Sequence, residues 1–371
     1  MSGVFSRVRQ PVERGGAERY LRLTLLSFAA TVVLTRLFLS LTGYPQIGGG
    51  GLHIAHMLWG GLLLFVASLL PLVLANRWVY PAGGLLSGVG VGLFIDEVGK
   101  FITQNNDYFY PVAAPLIYAF FLLTVLVYLR VRRAEAPEPR AELYRALDDL
   151  SEVLDLDLES HERVQLERRL RWVAAQRAQP EMAALARSLL DFLEKDAVVV
   201  PDGGPTVVER YWKRVQQLEE HYLGPGRLKL LLVIGLAFLG GPALVAPLAL
   251  LLGVATASIS QDDLGAAVLA AANGATTNHV AWAWSRLLLS AVAGLPLIVA
   301  AASLVVKRDR FGTELAYFGL LGYLTVVNLI VFYFDQFQAI GGAIVQFILL
   351  RAVIYYRRRY VDGDARGGVK R

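Results

Sequence analysis

Long apolar stretches separated by polar connections recur along the 371-residue chain. Each is about 20 residues long, enough at 1.5 Å per residue for a helix to cross roughly 30 Å of hydrocarbon. The pattern therefore predicts an all-α, polytopic transmembrane helical bundle with about eight spans. The stretches cover residues 22–42, 52–75, 82–103, 110–130, 228–253, 281–306, 312–333 and 338–356.

Lys and Arg occur in every second connection between these spans and are absent from the connections in between. The connections 43–51, 104–109, 254–280 and 334–337 contain no Lys or Arg, whereas the other connections and both flanks carry several. Lys and Arg near the ends of spans favour the cytoplasmic side. We therefore expect a multi-pass protein of the bacterial cytoplasmic (inner) membrane with both termini in the cytoplasm.

The formal net charge of +5 arises from these membrane ends. It predicts contacts with anionic membrane lipids and no nucleic-acid partner. The chain has no cysteine, which excludes disulfides, thiolate nucleophiles and Cys-ligated metals. It also lacks a Walker loop, so any transport would be passive or driven by an ion gradient.

A polar insert separates the fourth and fifth spans and holds 19 of the 31 acidic residues. Its apolar periodicity predicts helices at about 140–152, 158–178 and 180–196, and a Pro and a capping box predict a fourth from Pro205 to Tyr222. This helical insert is expected in the cytoplasm, where it steadies the spans or binds a protein partner. The predicted domains are an N-terminal membrane unit (1–130), the insert (131–226) and a C-terminal membrane unit (227–371).

The two membrane units resemble each other. His56–Trp59 opens the second span, and the similar His279–Trp282 opens the sixth. The fourth and eighth spans both end in a basic cluster. Four spans per unit would make two internal repeats of the same orientation.

Ionisable residues within the first three spans are the main candidates for function. A charged side chain at the bilayer centre costs about 2.5–3.5 kcal/mol on insertion scales, so it needs a partner or a role. With the orientation above, all of them fall in the outer half of the membrane. They are Arg36, His53, His56, Asp96, Glu97 and Lys100.

A small-residue stripe runs along the third span. Gly84, Gly88 and Gly92 recur every four residues, which allows another helix to approach closely. Asp96 and Lys100 continue this spacing and are predicted to lie within pairing distance of each other. Glu97 is turned about 100° away and needs another partner, for which the first-span Arg or a histidine is the obvious candidate.

Three hypotheses explain these charges. The first is an ion-pair network that locks spans one to three together. The second is a site for a solute or a lipid headgroup, in which Arg36 and Lys100 contact an anionic group while the carboxylates and histidines exchange protons. The third is a metal centre.

The metal hypothesis rests on His53 and His56, which are spaced i,i+3 on one helical face. Together with Asp96 or Glu97 they offer the ligands of a Zn or Fe site. Zn²⁺ with water in the fourth position would make a hydrolase that acts on a lipid or lipid-linked substrate.

The segments Leu52–Gly61 and Gly92–Phe101 resemble an uncharacterised family of bacterial polytopic membrane proteins, most clearly over spans one to four. The resemblance implies a multi-span helical fold. It supplies no activity, cofactor or site residue.

The sequence therefore favours an outward-facing polar site among spans one to three. We expect this site to bind, transport or flip a small anionic or lipid-linked ligand with proton coupling. The alternatives are the metal-dependent membrane hydrolase and a non-catalytic scaffold or signalling protein that acts through the insert.

Overall fold

The computed structural model describes residues 11–43, 55–133, 137–155, 158–177, 179–195, 224–256, 258–260, 263–271 and 280–362. Within these ranges the ordered elements are helices, and no strand is present, which confirms the all-α prediction. The helices are α1 Ala17–Thr42, α2 His56–Val73, α3 Val79–Asp96, α4 Val98–Ile102, α5 Ala113–Val131, α6 Pro139–Leu154, α7 Ser160–Ala174, α8 Pro180–Lys195, α9 Pro225–Ala255, α10 Leu264–Ala271, α11 Val280–Val305, α12 Asp309–Gly322, α13 Asn328–Asp335 and α14 Ala339–Tyr356.

Seven helical runs in the described part of the chain are long and apolar enough to cross a membrane. The seventh, Asp309–Val361, has 53 residues and folds back on itself. Near its two ends the Tyr356 hydroxyl donates to Asp309, and nearer the turn the Asn328 amide donates to Gln346. This antiparallel pairing makes the run a hairpin that accounts for the predicted seventh and eighth spans. The protein is an integral, multi-pass membrane protein.

The chain divides into two compact units, which are described separately. The first consists of residues 1–97 and 123–210, and the second of residues 98–122 and 211–371. The first unit therefore contains the described helices of the insert together with α1, α2 and α3.

In the first unit, α3 packs between α1 and α2. The predicted glycine stripe faces α1, where a Cβ on Gly88 would lie 1.9 Å from Ser27 Oγ. On another side of α3, Gly90 meets Gly60 of α2, and a Cβ on either glycine would lie within 3.0 Å of the other's carbonyl oxygen. Both contacts depend on backbones that approach without intervening side chains.

The insert forms three helices close to the predicted ones. α6, α7 and α8 enclose an apolar core that includes Leu143, Leu166, Leu170 and Leu193. A capping box between Glu159 and Glu162 begins α7. The predicted fourth helix, from Pro205 to Tyr222, lies outside the described residues.

Carboxylates of α6 and of Asp155, the residue that follows it, attach the insert to the polar ends of the membrane helices. In the connection between α2 and α3, Asn76 donates to both carboxylate oxygens of Asp155. Arg77 Nη1 lies 2.5 Å from Glu152 Oε1. Before α1, Arg14 pairs with Asp148 at 3.0 Å. The insert is thus bonded to the loop that joins two site-bearing helices.

In the second unit, α11 packs against both α9 and α12. Gly240 and Gly294 bring α9 and α11 into close contact. The buried core includes Leu236, Leu297 and Leu320. The central helix is thus the sixth span here and the third span in the first unit, so the two units pack their spans differently. The internal repeat stays a prediction.

Candidate functional site

Helix pairing in the first unit brings four of the six predicted side chains together. α1 and α3 run in the same direction, so the contact of Gly84 with Tyr20 near their beginnings leads to a contact of Asp96 with Arg36 near their ends. α2 runs the opposite way and therefore begins beside the end of α3. Its first residue is His56.

Arg36 and Asp96 form a buried ion pair. Arg36 Nε donates to Asp96 Oδ1 at 2.5 Å, and Nη2 donates to the Asp96 main-chain oxygen at 2.9 Å. Arg36 is 7% exposed and Asp96 is 0% exposed. That main-chain oxygen belongs to the last turn of α3, where helical carbonyls lack partners and cations are favoured. The guanidinium thus satisfies both the side chain and the helix end.

His56 bridges two carboxyl groups. Its Nε2 lies 3.1 Å from Asp96 Oδ2, and its Nδ1 lies 2.9 Å from Glu97 Oε1. Glu97 is 1% exposed, whereas the His56 side chain is 23% exposed. His56 is therefore the most accessible of the four side chains.

This geometry limits the protonation states in which both His56 contacts can be hydrogen bonds. A neutral imidazole has one N–H, so it cannot donate to two ionised carboxylates at once. Both contacts are hydrogen bonds only if the ring is an imidazolium or if one carboxyl group is protonated and donates to the ring. In either case His56, Asp96 and Glu97 together hold two dissociable protons. With the charge of the Arg36 guanidinium added, the four groups are electrically neutral.

The remaining two predicted residues are placed differently. His53 lies outside the described residues. Lys100 is in α4, which belongs to the second unit, and its Nζ lies 5.3 Å from the centre of the Tyr108 ring. α3 ends at Asp96, so the chain from Asp96 to Lys100 is not one continuous helix, as the i,i+4 argument assumed. Their pairing stays a prediction, whereas Glu97 does have a histidine beside it.

The four clustered side chains do not fit a metal ion in this arrangement. Both ring nitrogens of His56 face carboxylates, and one Asp96 oxygen accepts from Arg36, so His56 could bind a metal only by giving up one of its two carboxylate contacts. Among the described residues no group of three or more His, Cys, Asp or Glu is arranged to hold a metal. The Zn or Fe hypothesis, which includes His53, stays a prediction.

Two polar groups of the second unit were not part of the predicted site. Arg286 of α11 forms a bidentate pair with Asp335 at 2.8 and 2.7 Å. Asn328 donates to Gln346 Oε1 at 2.8 Å and to the Tyr118 hydroxyl at 3.2 Å. In the sequence, each group could have been suspected from a polar residue inside an apolar span. The partner of that residue depends on how the helices pack.

No family model, curated protein or solved structure matches the chain. The proposed function therefore rests on the site.

Proposed function

We propose that the protein is a proton-coupled membrane transporter in which His56, Asp96 and Glu97 exchange the coupling proton. The observation that carries the proposal is the imidazole bridge between two buried carboxyl groups at the ends of membrane spans. Ionisable residues inside spans often form proton relays, and histidine is the side chain best suited to gain and lose a proton near neutral pH. Because His56 is partly exposed, it is the entry point for the proton.

Arg36 has a positioning role in this proposal. Its Nε donates to the Asp96 carboxylate and its Nη2 to the Asp96 main-chain oxygen, and these two hydrogen bonds position that carboxyl group beside the imidazole. Removing Asp96 would leave the guanidinium buried without that counter-charge, which is strongly destabilising. The expected direct contact of Arg36 or Lys100 with an anion is a separate prediction.

Proton loss changes the charge of the site and so supplies a basis for coupling. With its full set of protons the cluster is neutral, and after the loss of one proton its net charge is −1. In a low-dielectric surrounding that charge repels an anion far more strongly than it would in water. A small anionic or lipid-linked ligand would therefore bind together with the proton. Because the positive-inside pattern favours cytoplasmic termini, we expect this exchange on the outer side of the membrane.

Proton flux into vesicles tests the proposal. Purified protein is reconstituted into phosphatidylethanolamine and phosphatidylglycerol vesicles that contain a pH-sensitive dye, and a potassium diffusion potential is applied. Flux is recorded alone and with a panel of external anions, including inorganic phosphate and short dicarboxylates. We expect protein-dependent acidification that decreases at least tenfold in His56→Gln and Glu97→Gln.

The matched control is His161→Gln, because His161 lies in the insert and its carboxylate contact is with the exposed Glu159. This variant should transport protons like the original protein. Equal proton flux in all four proteins and in empty vesicles, under every condition, would rule out the proposed role of the cluster.

A further inference from the structure

The seventh span contains a turn that departs from α-helical hydrogen bonding. Residues Tyr323–Val327 form a π-helix between α12 and α13. At its end the Asn328 N–H donates to the Tyr323 oxygen, five residues back, instead of to the Leu324 oxygen, four residues back. One residue more than in an α-helical turn is thus accommodated at this point. Such π-turns occur often at functional sites.

A side chain from another span takes the place of the missing α-helical bond. The Tyr118 hydroxyl of α5 donates to the Leu324 main-chain oxygen at 2.5 Å. The same hydroxyl accepts from Asn328, whose amide also donates to Gln346. The Tyr118 ring stacks on Phe332 with centroids 4.5 Å apart. Tyr118 therefore stabilises the π register and also contacts the helix that follows it.

The seventh span has an alternative register that its own backbone can form. If the Asn328 N–H moved to the Leu324 oxygen, the π-turn would become α-helical. α13 would then rotate by about 100° and move about 1.5 Å along its axis, the step of one helical residue. Tyr118 would lose its acceptor, and the Asn328 amide would turn away from Gln346.

Two features at the far end of α13, an ion pair and a strained residue, would change if the helix rotated. Asp335, its last residue, pairs with Arg286, and that carboxylate would swing away if α13 rotated. The next residue, Gln336, has φ 48° and ψ −131°, a backbone conformation that residues other than glycine rarely adopt. Strained backbone of this kind persists only where the surrounding contacts enforce it, and it often marks segments that switch.

We propose that the seventh span has two hydrogen-bond registers, and that a shift from the π to the α register breaks the Arg286–Asp335 pair. The Tyr118 hydroxyl holds the π register. The shift would open the contact between the ends of α11 and α13. This inference concerns the second unit alone and does not depend on the proton site.

Spin labelling can detect the rotation directly. Because the chain has no cysteine, single cysteines can be placed at each of residues 329–334 without background labelling. The collision rate of each label with dissolved oxygen reports which positions face lipid. In Tyr118→Phe, Leu324 loses its side-chain donor, so we expect the periodic accessibility pattern to move by one residue. Tyr317→Phe removes a hydroxyl from α12 and should leave the pattern unchanged.

Deletion of Val326 supplies a second test, because it removes the extra residue and leaves one register. In this background Tyr118→Phe should no longer move the pattern, and a shift there would contradict the proposal. Asp335→Asn weakens the pair at the far end and should favour the α register while Tyr118 is intact. An unchanged pattern in both Tyr118→Phe and Asp335→Asn would overturn the proposal. If Tyr118→Phe does not fold, Asp335→Asn decides alone.

Discussion

At the scale of single residues, the position of His56 determines how the buried cluster behaves. Asp96 and Glu97 are adjacent in sequence, yet they reach different nitrogens of one imidazole because α3 ends between them. Arg36 would satisfy one carboxylate by itself, so an ion-pair network that only locks the spans together needs no more than Arg36 and Asp96. The additional carboxyl group and the imidazole give the site a proton that it can release.

Another titratable residue, Glu152, lies in α6 of the insert, outside the membrane spans. Burial raises the pKa of Glu152 to about 7, and repulsion from Glu162 and Asp149 adds to this, while the Arg77 guanidinium opposes it. One Glu152 oxygen is buried and has no hydrogen-bond partner among the described residues. A proton on Glu152 would supply a donor toward Glu162.

These facts predict a pH-dependent stability of the insert. The folded state binds the Glu152 proton more tightly than the unfolded state does. The stabilisation is therefore fully present below the ordinary glutamate pKa of about 4.3 and is lost as pH rises to about 7. The slope is at most about 1.4 kcal/mol per pH unit for one proton.

Hydrogen exchange of α6–α8 in the full-length protein, corrected for the intrinsic pH dependence of exchange, measures this effect. Protection should decrease between pH 5 and pH 7.5, and Glu152→Gln should reduce that decrease. Glu138→Gln, at an exposed position just before α6, is the control and should behave like the original protein. The same pH dependence in Glu152→Gln would show that another group is responsible.

At the scale of helices, the contact between α1 and α3 positions the site. A Cβ on Gly88 would lie 1.9 Å from Ser27 Oγ and 2.3 Å from the Thr24 oxygen. Gly88→Ala should therefore force the helices apart, at a cost of about 1–3 kcal/mol for overpacking. A Cβ on Gly61 in α2 would meet no other described residue within 4 Å, so Gly61→Ala should be neutral or slightly stabilising.

Thermal unfolding of the two variants in detergent measures the difference. Equal midpoints for Gly88→Ala and Gly61→Ala would mean that the close contact between α1 and α3 contributes little to stability.

The sequence allowed part of this arrangement to be predicted. The glycine stripe indicated a close helix contact because small residues leave a local trace in the sequence, but it did not identify α1 as the partner. The end of α3 at Asp96 and the turn at Gln336 have no Gly or Pro to mark them. The π-turn at Tyr323–Val327 depends on a hydroxyl from another span. Contacts between distant segments decide these features, and sequence periodicity does not report them.

At the scale of the whole molecule, the length and apolar character of the spans were predictable because residence in lipid constrains each segment separately. The same holds for the three described helices of the insert, whose apolar faces repeat with helical period. The attachment of the insert to the connection between α2 and α3 was not predictable, since it depends on the carboxylates of one segment meeting Asn76 and Arg77 of another.

The orientation of the protein in the membrane is the last prediction, and it determines the direction of the proposed proton exchange. The alternation of Lys and Arg predicts that the insert lies in the cytoplasm and that residues 254–280 lie outside. Leu154 in the insert and Thr256 after α9 are both exposed. In the cysteine-free chain, a single cysteine at Thr256 should react with a membrane-impermeant maleimide added to intact cells. A cysteine at Leu154 should react only after the cells are permeabilised. The reverse pattern would place the charged ends of α1 and α3 toward the cytoplasm, and His56 would then exchange protons with that side.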